Sequence, residues 1–279
     1  MPSPRPDAPS QRAETAPRRS QVYVYADGFM FSCDGMVAPR TERYTATMLF
    51  ATSDEPIEIE VGGQRERAEI AVLKPFVPKS LHSPHQAFVS IGINPMHPGY
   101  RAFTRMAAPG FAAMPRSLFP QLAPRLHALR NGVLDMPQAR HVFEQCVEAI
   151  TRLLPPLRPL DPRIERVTAL LARDHRQALD TLADQACLSY YRMSHLFSHE
   201  MGLSLRQYVL SLKIHAAARC IGAGLSLTAT AHEAGFTDSA HLSRVWTKAF
   251  GGPPSHFLNE RRFAIQPTQA VNAALQEAA

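Results

Sequence analysis

The chain has 279 residues, 45% of them hydrophobic and 19% charged, with a formal net charge of +6. That length suits two ordinary domains with real cores, and the mild positive charge is compatible with an anionic partner without establishing one. No apolar window is long enough to cross a bilayer and the N-terminus lacks the apolar core of a signal peptide, so the expected compartment is the cytoplasm.

Residues 1–20 are rich in Pro, Ser, Arg and Ala without apolar periodicity and read as a disordered tail. From 21 to 94 the signal is β: runs rich in Val, Ile, Phe and Tyr at 22–25, 46–50, 57–61, 68–73 and 87–93 predict short strands. Gly62-Gly63 between two of them is a hairpin signal, and Pro75, Pro78, Pro84 and Pro95 mark loops. Strands at this spacing predict a small β-barrel or sandwich, with Phe50, Phe76, Phe88 and Phe103 in its core. His82 and His85 flank Pro84, which places them in a loop, and no paired histidines with a carboxylate accompany them. No metal and no cofactor are therefore expected, and an effector pocket in the barrel would have no ligand named by the sequence.

Residues 95–115 read as irregular. Two helices are predicted next: 117–130, with a stripe of Leu118, Leu122, Leu126 and Leu129, and 137–154, opened by Pro137 and lined by Val142, Cys146 and Ile150. They would pack on the barrel or form a dimer seam. The proline-rich segment 155–162 cannot continue a helix and marks the domain boundary, so 21–154 is the first domain. Asp161 then caps a helix over 163–173 that turns Ile164, Val167, Leu170 and Leu171 inward. The second domain runs over 163–263, and 264–279 reads as a flexible tail, weakly helical at best.

Within 163–263 the sequence repeats itself. Leu179, Ala183, Ala186 and Leu188 recur 48 residues later as Leu227, Ala231, Ala234 and Phe236. Met193, Leu196, Phe197, Gly202 and Tyr208 recur 49 residues later as Leu242, Val245, Trp246, Gly251 and Phe257. Both halves have helical spacing, which predicts two helix-turn-helix units. Ser189 caps the second helix of the first unit, and Asp238 or Thr237 caps its counterpart. Residues 204–222, apolar nearly all round, predict one long helix joining the units, roughly 28 Å at 1.5 Å per residue. The fold class is thus α+β, with an all-α C-terminal domain.

With Met193, Leu196 and Phe197 facing inward, Tyr191, Arg192, Ser194, His195 and Ser198 face out; in the second unit Ser239, Ala240, Ser243, Arg244 and Lys248 do so. A helix held this way with a polar outer face fits a DNA major groove. Residues 161–263 hold 12 Lys/Arg against 9 Asp/Glu, so phosphate neutralisation would depend on placement, chiefly of Arg192, Arg206, Lys213, Arg244, Lys248, Arg261 and Arg262.

These residues resemble the AraC/XylS family of bacterial transcriptional regulators. The matching positions include Leu182-Ala183, Leu188-Ser189, Met193, Leu196-Phe197, Gly202, Tyr208, Ile214, Ala217, Gly235-Phe236, Asp238, Ser243-Arg244, Trp246, Gly251, Pro254 and Phe257. The stretch 72–82 is similar to the cupin-like sensor domain that often accompanies them. The resemblance implies a sequence-specific DNA-binding activator or repressor of promoters, nucleoid-associated when bound to DNA. Its implied partners are double-stranded DNA, RNA polymerase, a second copy of the chain and a small-molecule effector. Lys213, His195, Ala240, Leu242 and Leu258 depart from the family pattern; His195 touches base reading. Two enzyme readings compete: a DNA-repair alkyl transferase with a similar double helix-turn-helix, and a metal-dependent cupin enzyme. Neither finds its residues. Cys33 lies between Ser32 and Asp34, and Cys33, Cys146, Cys187 and Cys220 lack metal-site spacing and read as buried reduced thiols. A protein-interaction module using the same helices has no positive support.

Overall fold

A computed structural model of the chain describes residues 20–255 and 263–266. Strands β1 (Ser20–Tyr25), β2 (Gly28–Cys33), β3 (Met36–Thr41), β4 (Ala46–Ala51), β5 (Ile57–Val61), β6 (Gln64–Ala68), β7 (Ile70–Leu73), β8 (Lys79–Ser83) and β9 (Phe88–Ile93) come first. Helix α1 (Tyr100–Thr104), strand β10 (Phe111–Met114) and helices α2 (Ala123–Arg130) and α3 (Met136–Thr151) follow. One sheet has the order β10-β7-β4-β9-β2-β1-β11, with β11 at Phe263–Gln266, and the other β3-β8-β5-β6. They form an open two-sheet sandwich, not a closed barrel.

Alternation along the strands explains the layering. Met48 and Phe50 of β4 face the helices and join a core with Phe103, Leu126, Phe143 and Ile150. Leu49 and Ala51 face the second sheet and pack with Ile57, Ile59, Leu81 and Phe88. Both faces of β4 and β9 are therefore buried, as all six residues of each strand show. The hairpin at Gly62 and Gly63 has φ of 62° and 82°, which glycine adopts without steric cost.

Several expectations need correction. The run 68–73 is two strands, because the chain turns at Glu69 from one sheet to the other. His82 lies in β8, its ring 4.0 Å from the Glu60 carboxylate, rather than in a loop; His85 is in the loop and exposed. The helix expected over 117–130 is broken into a single turn, Arg116–Leu118, and α2. Pro120 has no N–H to continue the first piece and holds Phe119 out of the helical region, so Leu118 is left exposed. Helix α3 begins at Met136, where Asp135 and Gln138 form a reciprocal capping box. Its apolar face, including Val142, Phe143 and Ile150, packs into the core of its own domain. At the C-terminal end, Phe263–Gln266 pairs in parallel with β1, so 264–266 is strand rather than tail. Residues 1–19 of the expected N-terminal tail, residues 267–279, and Phe257, Leu258, Arg261 and Arg262 lie outside the described residues.

The C-terminal helices match the expected spans closely. They are α4 (Pro162–Arg173), α5 (Leu179–Gln185), α6 (Tyr190–Met201), α7 (Leu205–Gly222), α8 (Leu227–Glu233) and α9 (Ser239–Phe250). Residues 155–161 form the irregular connection before them. The first half of α7 gives Leu205, Tyr208 and Leu212 to a core shared with α4, α5 and α6. Its second half gives Ile214, Ala217 and Ile221 to a separate core with α8 and α9. One continuous rod thus serves both units.

Candidate nucleic-acid interface

Each unit presents its second helix in the same way. The Ser189 hydroxyl accepts from the Arg192 amide at 3.4 Å and opens α6; the Asp238 carboxylate accepts from the His241 amide at 2.6 Å and opens α9. Met193 and Phe197 seat α6, and Leu242 and Trp246 seat α9, all buried. Gly202 and Gly251 close the two helices in the left-handed region, at φ of 72° and 82°.

The outer rows follow from that seating. On α6, Tyr191 is 71% exposed, Arg192 and His195 are exposed, and Ser194 is half-buried. The Tyr191 and His195 rings lie 4.3 Å apart, so they form one aromatic step rather than two independent groups. Ser198 donates to the Ser194 carbonyl at 2.8 Å, which spends its hydroxyl inside the helix. On α9, Ala240 and Arg244 are exposed, while Ser239 and Ser243 are half-buried. Lys248 is exposed, but its ammonium lies 3.0 Å from the Glu42 carboxylate of the N-terminal domain. Its charge is thus already paired within the protein.

The turn carries a difference between the units. Gly235 has φ of 76°, and its counterpart 48 residues earlier is Cys187, at φ of 54°. A side chain in this region costs about 1–2 kcal/mol, against a smaller entropic cost for glycine. Cys187 is exposed, which corrects the expectation of a buried thiol; Cys146 is buried, and Cys33 and Cys220 are half-buried. Cys187→Gly is expected to stabilise the protein by about 0.5–1 kcal/mol, read as a higher thermal midpoint. A lower midpoint would show that the turn does not need that conformation.

The pattern did not disclose how the N-terminal domain holds both units at the ends of these helices. Arg101 donates to the Glu200 carbonyl at 3.0 Å and lies 3.3 Å from its carboxylate, and Arg105 donates to the His199 carbonyl at 2.9 Å. A Cβ on Gly202 would fall 2.5 Å from the Thr104 hydroxyl oxygen. On α9, the Glu42 amide donates to the Lys248 carbonyl at 3.0 Å, and Gly251 sits against Pro39 and Thr41. The two C-terminal ends are thus docked at equivalent points of the repeat.

Between the sheet and the second unit lies a cavity of about 150 Å³. Phe29, Phe31 and Tyr44 line it from one side and Ala218, Trp246 and Phe250 from the other, with Arg43 and His215 as polar members. Arg43 Nε is buried without a hydrogen-bond partner among the described residues, as is the Nζ of nearby Lys79. Burial pulls the Arg43 pKa down to about 10, and burial with the Arg43 charge pulls Lys79 down to about 7.

Asp27, His97 and Glu144 bring three ligand atoms within 4.8 Å of one another. They do not fit a metal, because Arg140 donates to Asp27 at 2.6 and 2.8 Å and also pairs with Glu144. The guanidinium already neutralises the carboxylates a cation would need, and holds Asp27 below the usual range although burial alone would raise it. Cys33 and Cys146 are both pushed up by burial, so neither has the thiolate character of an alkyl-transfer nucleophile.

Residues 182–260 match the family model described as a helix-turn-helix domain. The helical domain is an AraC-type helix-turn-helix domain. The arabinose operon regulatory protein of Escherichia coli is 29% identical over 115 residues, 40% of this chain and 39% of that protein. Its Salmonella typhimurium counterpart is 29% identical over 104 residues, covering 36% and 37%. The matches therefore span well under half the length of these relatives. The crystal structure of ToxT from Vibrio cholerae O395 aligns over 86% of this chain and 97% of its own, with a TM-score of 0.53 at 13% identity. That likeness is one of fold, and it takes in the sheet domain as well as the AraC-type helices.

Proposed function

We propose that the chain is a sequence-specific DNA-binding transcription regulator whose N-terminal domain takes a small-molecule effector. The observation that carries this reading is the pair of capped helices, α6 and α9, each seated on its own core with its outer row exposed. Tyr191, Arg192, Ser194 and His195 would meet one major groove; Ser239, Ala240, Ser243 and Arg244 the next. Ser198 and Lys248 contribute less, being engaged within the protein. Arg244 is the strongest base reader, since a guanidinium can grip guanine O6 and N7 together.

The test is selection of bound duplexes from a random pool, followed by titration of the enriched site. Arg244→Ala is expected to cost about 1–3 kcal/mol on that site and to relax preference at one base pair. Equal weakening on every duplex would assign Arg244 to the backbone. Affinity that does not fall with added salt would remove DNA as the partner.

The cavity supports an effector with an apolar body and one acidic group, placed against Arg43. A guanidinium whose buried Nε has no partner among the described residues is poorly satisfied until an anion meets it. A crystal structure of ToxT from Vibrio cholerae holds an unsaturated fatty acid, which agrees in ligand chemistry. On this reading a medium-chain fatty acid shifts the DNA titration and the matching alcohol does not. The same reading places the protein in the cytoplasm, on the nucleoid at its sites, with RNA polymerase and a second copy as partners, and gives it no catalytic step.

A further inference from the structure

The two units are joined covalently through α7, and α7 leaves its second core through Gly222, Ala223 and Gly224. A rod resists bending well but resists twist only through the contacts along it. Their rotation is therefore fixed by off-axis links: the sheet domain, which docks the ends of α6 and α9, and any direct link between the units. Such a link exists. The segment before α5, in the first unit, reaches the end of α8, in the second.

Arg176 donates to the His232 carbonyl at 3.3 Å and to the Glu233 carbonyl, and lies 3.6 Å from the Glu233 carboxylate. His175 Nε2 lies 3.2 Å from the Ala234 carbonyl. These carbonyls lie in and just after the last turn of α8, and that of His232 also accepts from the Gly235 amide at 3.0 Å. The Arg176 amide bonds the Asp174 carboxylate at 2.9 Å, which presents the side chain toward α8. The aliphatic stem then crosses the turn at Gly235, where an added Cβ would stand 3.5 Å from the Arg176 Cγ. Two neighbouring side chains of one unit thus cap one helix of the other.

We propose that Arg176, with His175 beside it, is a positioning residue that sets the spacing and rotation at which α6 and α9 meet a duplex. This rests on the DNA-binding reading above. Arg176 is half-exposed, and exposed ion pairs and hydrogen bonds contribute little to overall stability. Its loss is therefore felt as freedom between the readers more than as unfolding. Each unit keeps its own core, so a single half-site is still read. What is lost is the preference for one separation between half-sites.

The experiment uses the full chain and the selected operator. Arg176→Ala and Arg176→Lys are titrated against the operator, a single half-site, and operators with one base pair inserted or removed between half-sites. The native chain is expected to lose about tenfold or more on the altered spacings. Arg176→Ala is expected to bind the native spacing about threefold to tenfold more weakly and to discriminate between spacings less than threefold. It should match the native chain within twofold on the single half-site. Arg176→Lys, which keeps one donor, should recover part of the spacing preference. An unchanged spacing profile overturns the proposal, as does equal loss on the single half-site, which would mean a folding role only. Hydrogen exchange without DNA gives an independent reading. Arg176→Ala should raise exchange over 174–178 and 230–236 together while α6 and α9 stay protected, and unchanged exchange overturns the proposal even if the native chain binds no duplex.

Discussion

Acidification from pH 6.5 to pH 4 is expected to destabilise this protein by roughly 3 kcal/mol through one side chain, His215. The residue lies in the second half of α7, where it faces the N-terminal domain, and is only 8% exposed. Its Nδ1 lies 3.4 Å from the Asn94 amide nitrogen, which also donates to the Ala26 carbonyl at 3.1 Å. An amide nitrogen can only donate, so Nδ1 accepts and the neutral ring is favoured. The other nitrogen, Nε2, is buried without a hydrogen-bond partner among the described residues. Burial pulls the His215 pKa down to about 4; the Arg219 charge adds to this and Asp27 opposes it.

The folded state thus releases its proton at a lower pH than the unfolded chain, where histidine titrates near 6.5. Between those values the unfolded state holds more protons, so stability rises with pH across the window. The contribution is complete above about 6.5 and is lost as pH falls toward 4. Denaturant titrations of the native chain and of His215→Gln at several pH values isolate it, because titrating carboxylates such as Asp27 are common to both. The expected result is a difference curve with a slope confined to pH 4–6.5. A flat difference would mean that the ring stays charged or hydrated when folded. Since the side chain sits between α7 and the sheet domain, the loss should be seen first as parting of the two domains.

The helical domain was legible because its pattern is local and occurs twice. Ser189 and Asp238 announce caps, and Met193 with Phe197 and Leu242 with Trp246 announce inward faces, all within a few turns of chain. The sheet domain was half legible. Strands buried on both faces, such as β4 and β9, read as apolar runs. By contrast β3, with Pro39 and Arg40, and β8, with Lys79 and His82, carry polar residues on a partly exposed sheet and gave no signal. What no local pattern could show were pairings far apart in the chain. Arg176 on the end of α8, Arg101 on the end of α6 and Glu42 on Lys248 each join ordinary-looking charged residues. Arg43 is the opposite case: an arginine near a run of apolar residues reads as surface, and only the fold shows that it faces a cavity.

Phe197→Ala is expected to be the most damaging single change in the helical domain, at about 3–5 kcal/mol. The ring is fully buried and meets Tyr208 edge-on, with centroids 5.2 Å apart at 75°. It links α6 to α7, and with Met193 and Met201 it seats α6 on the core. Tyr208 and Met193 belong to the same core, and that core runs without a break into the N-terminal domain through Tyr100 and Phe103. The second unit has its own core around Trp246, in which Phe197 takes no part. Truncation should therefore lower the global denaturation midpoint and release the first reader, while α8 and α9 keep slow hydrogen exchange. Binding to the two-half-site operator should fall to the level of a single half-site. Arg244→Ala makes the complementary case, with binding weakened and the midpoint unchanged, because its side chain is exposed on the outer row. A loss below about 1 kcal/mol for Phe197→Ala would show that α6 is not seated on this ring, and the orientation of its reading face would have to be redrawn.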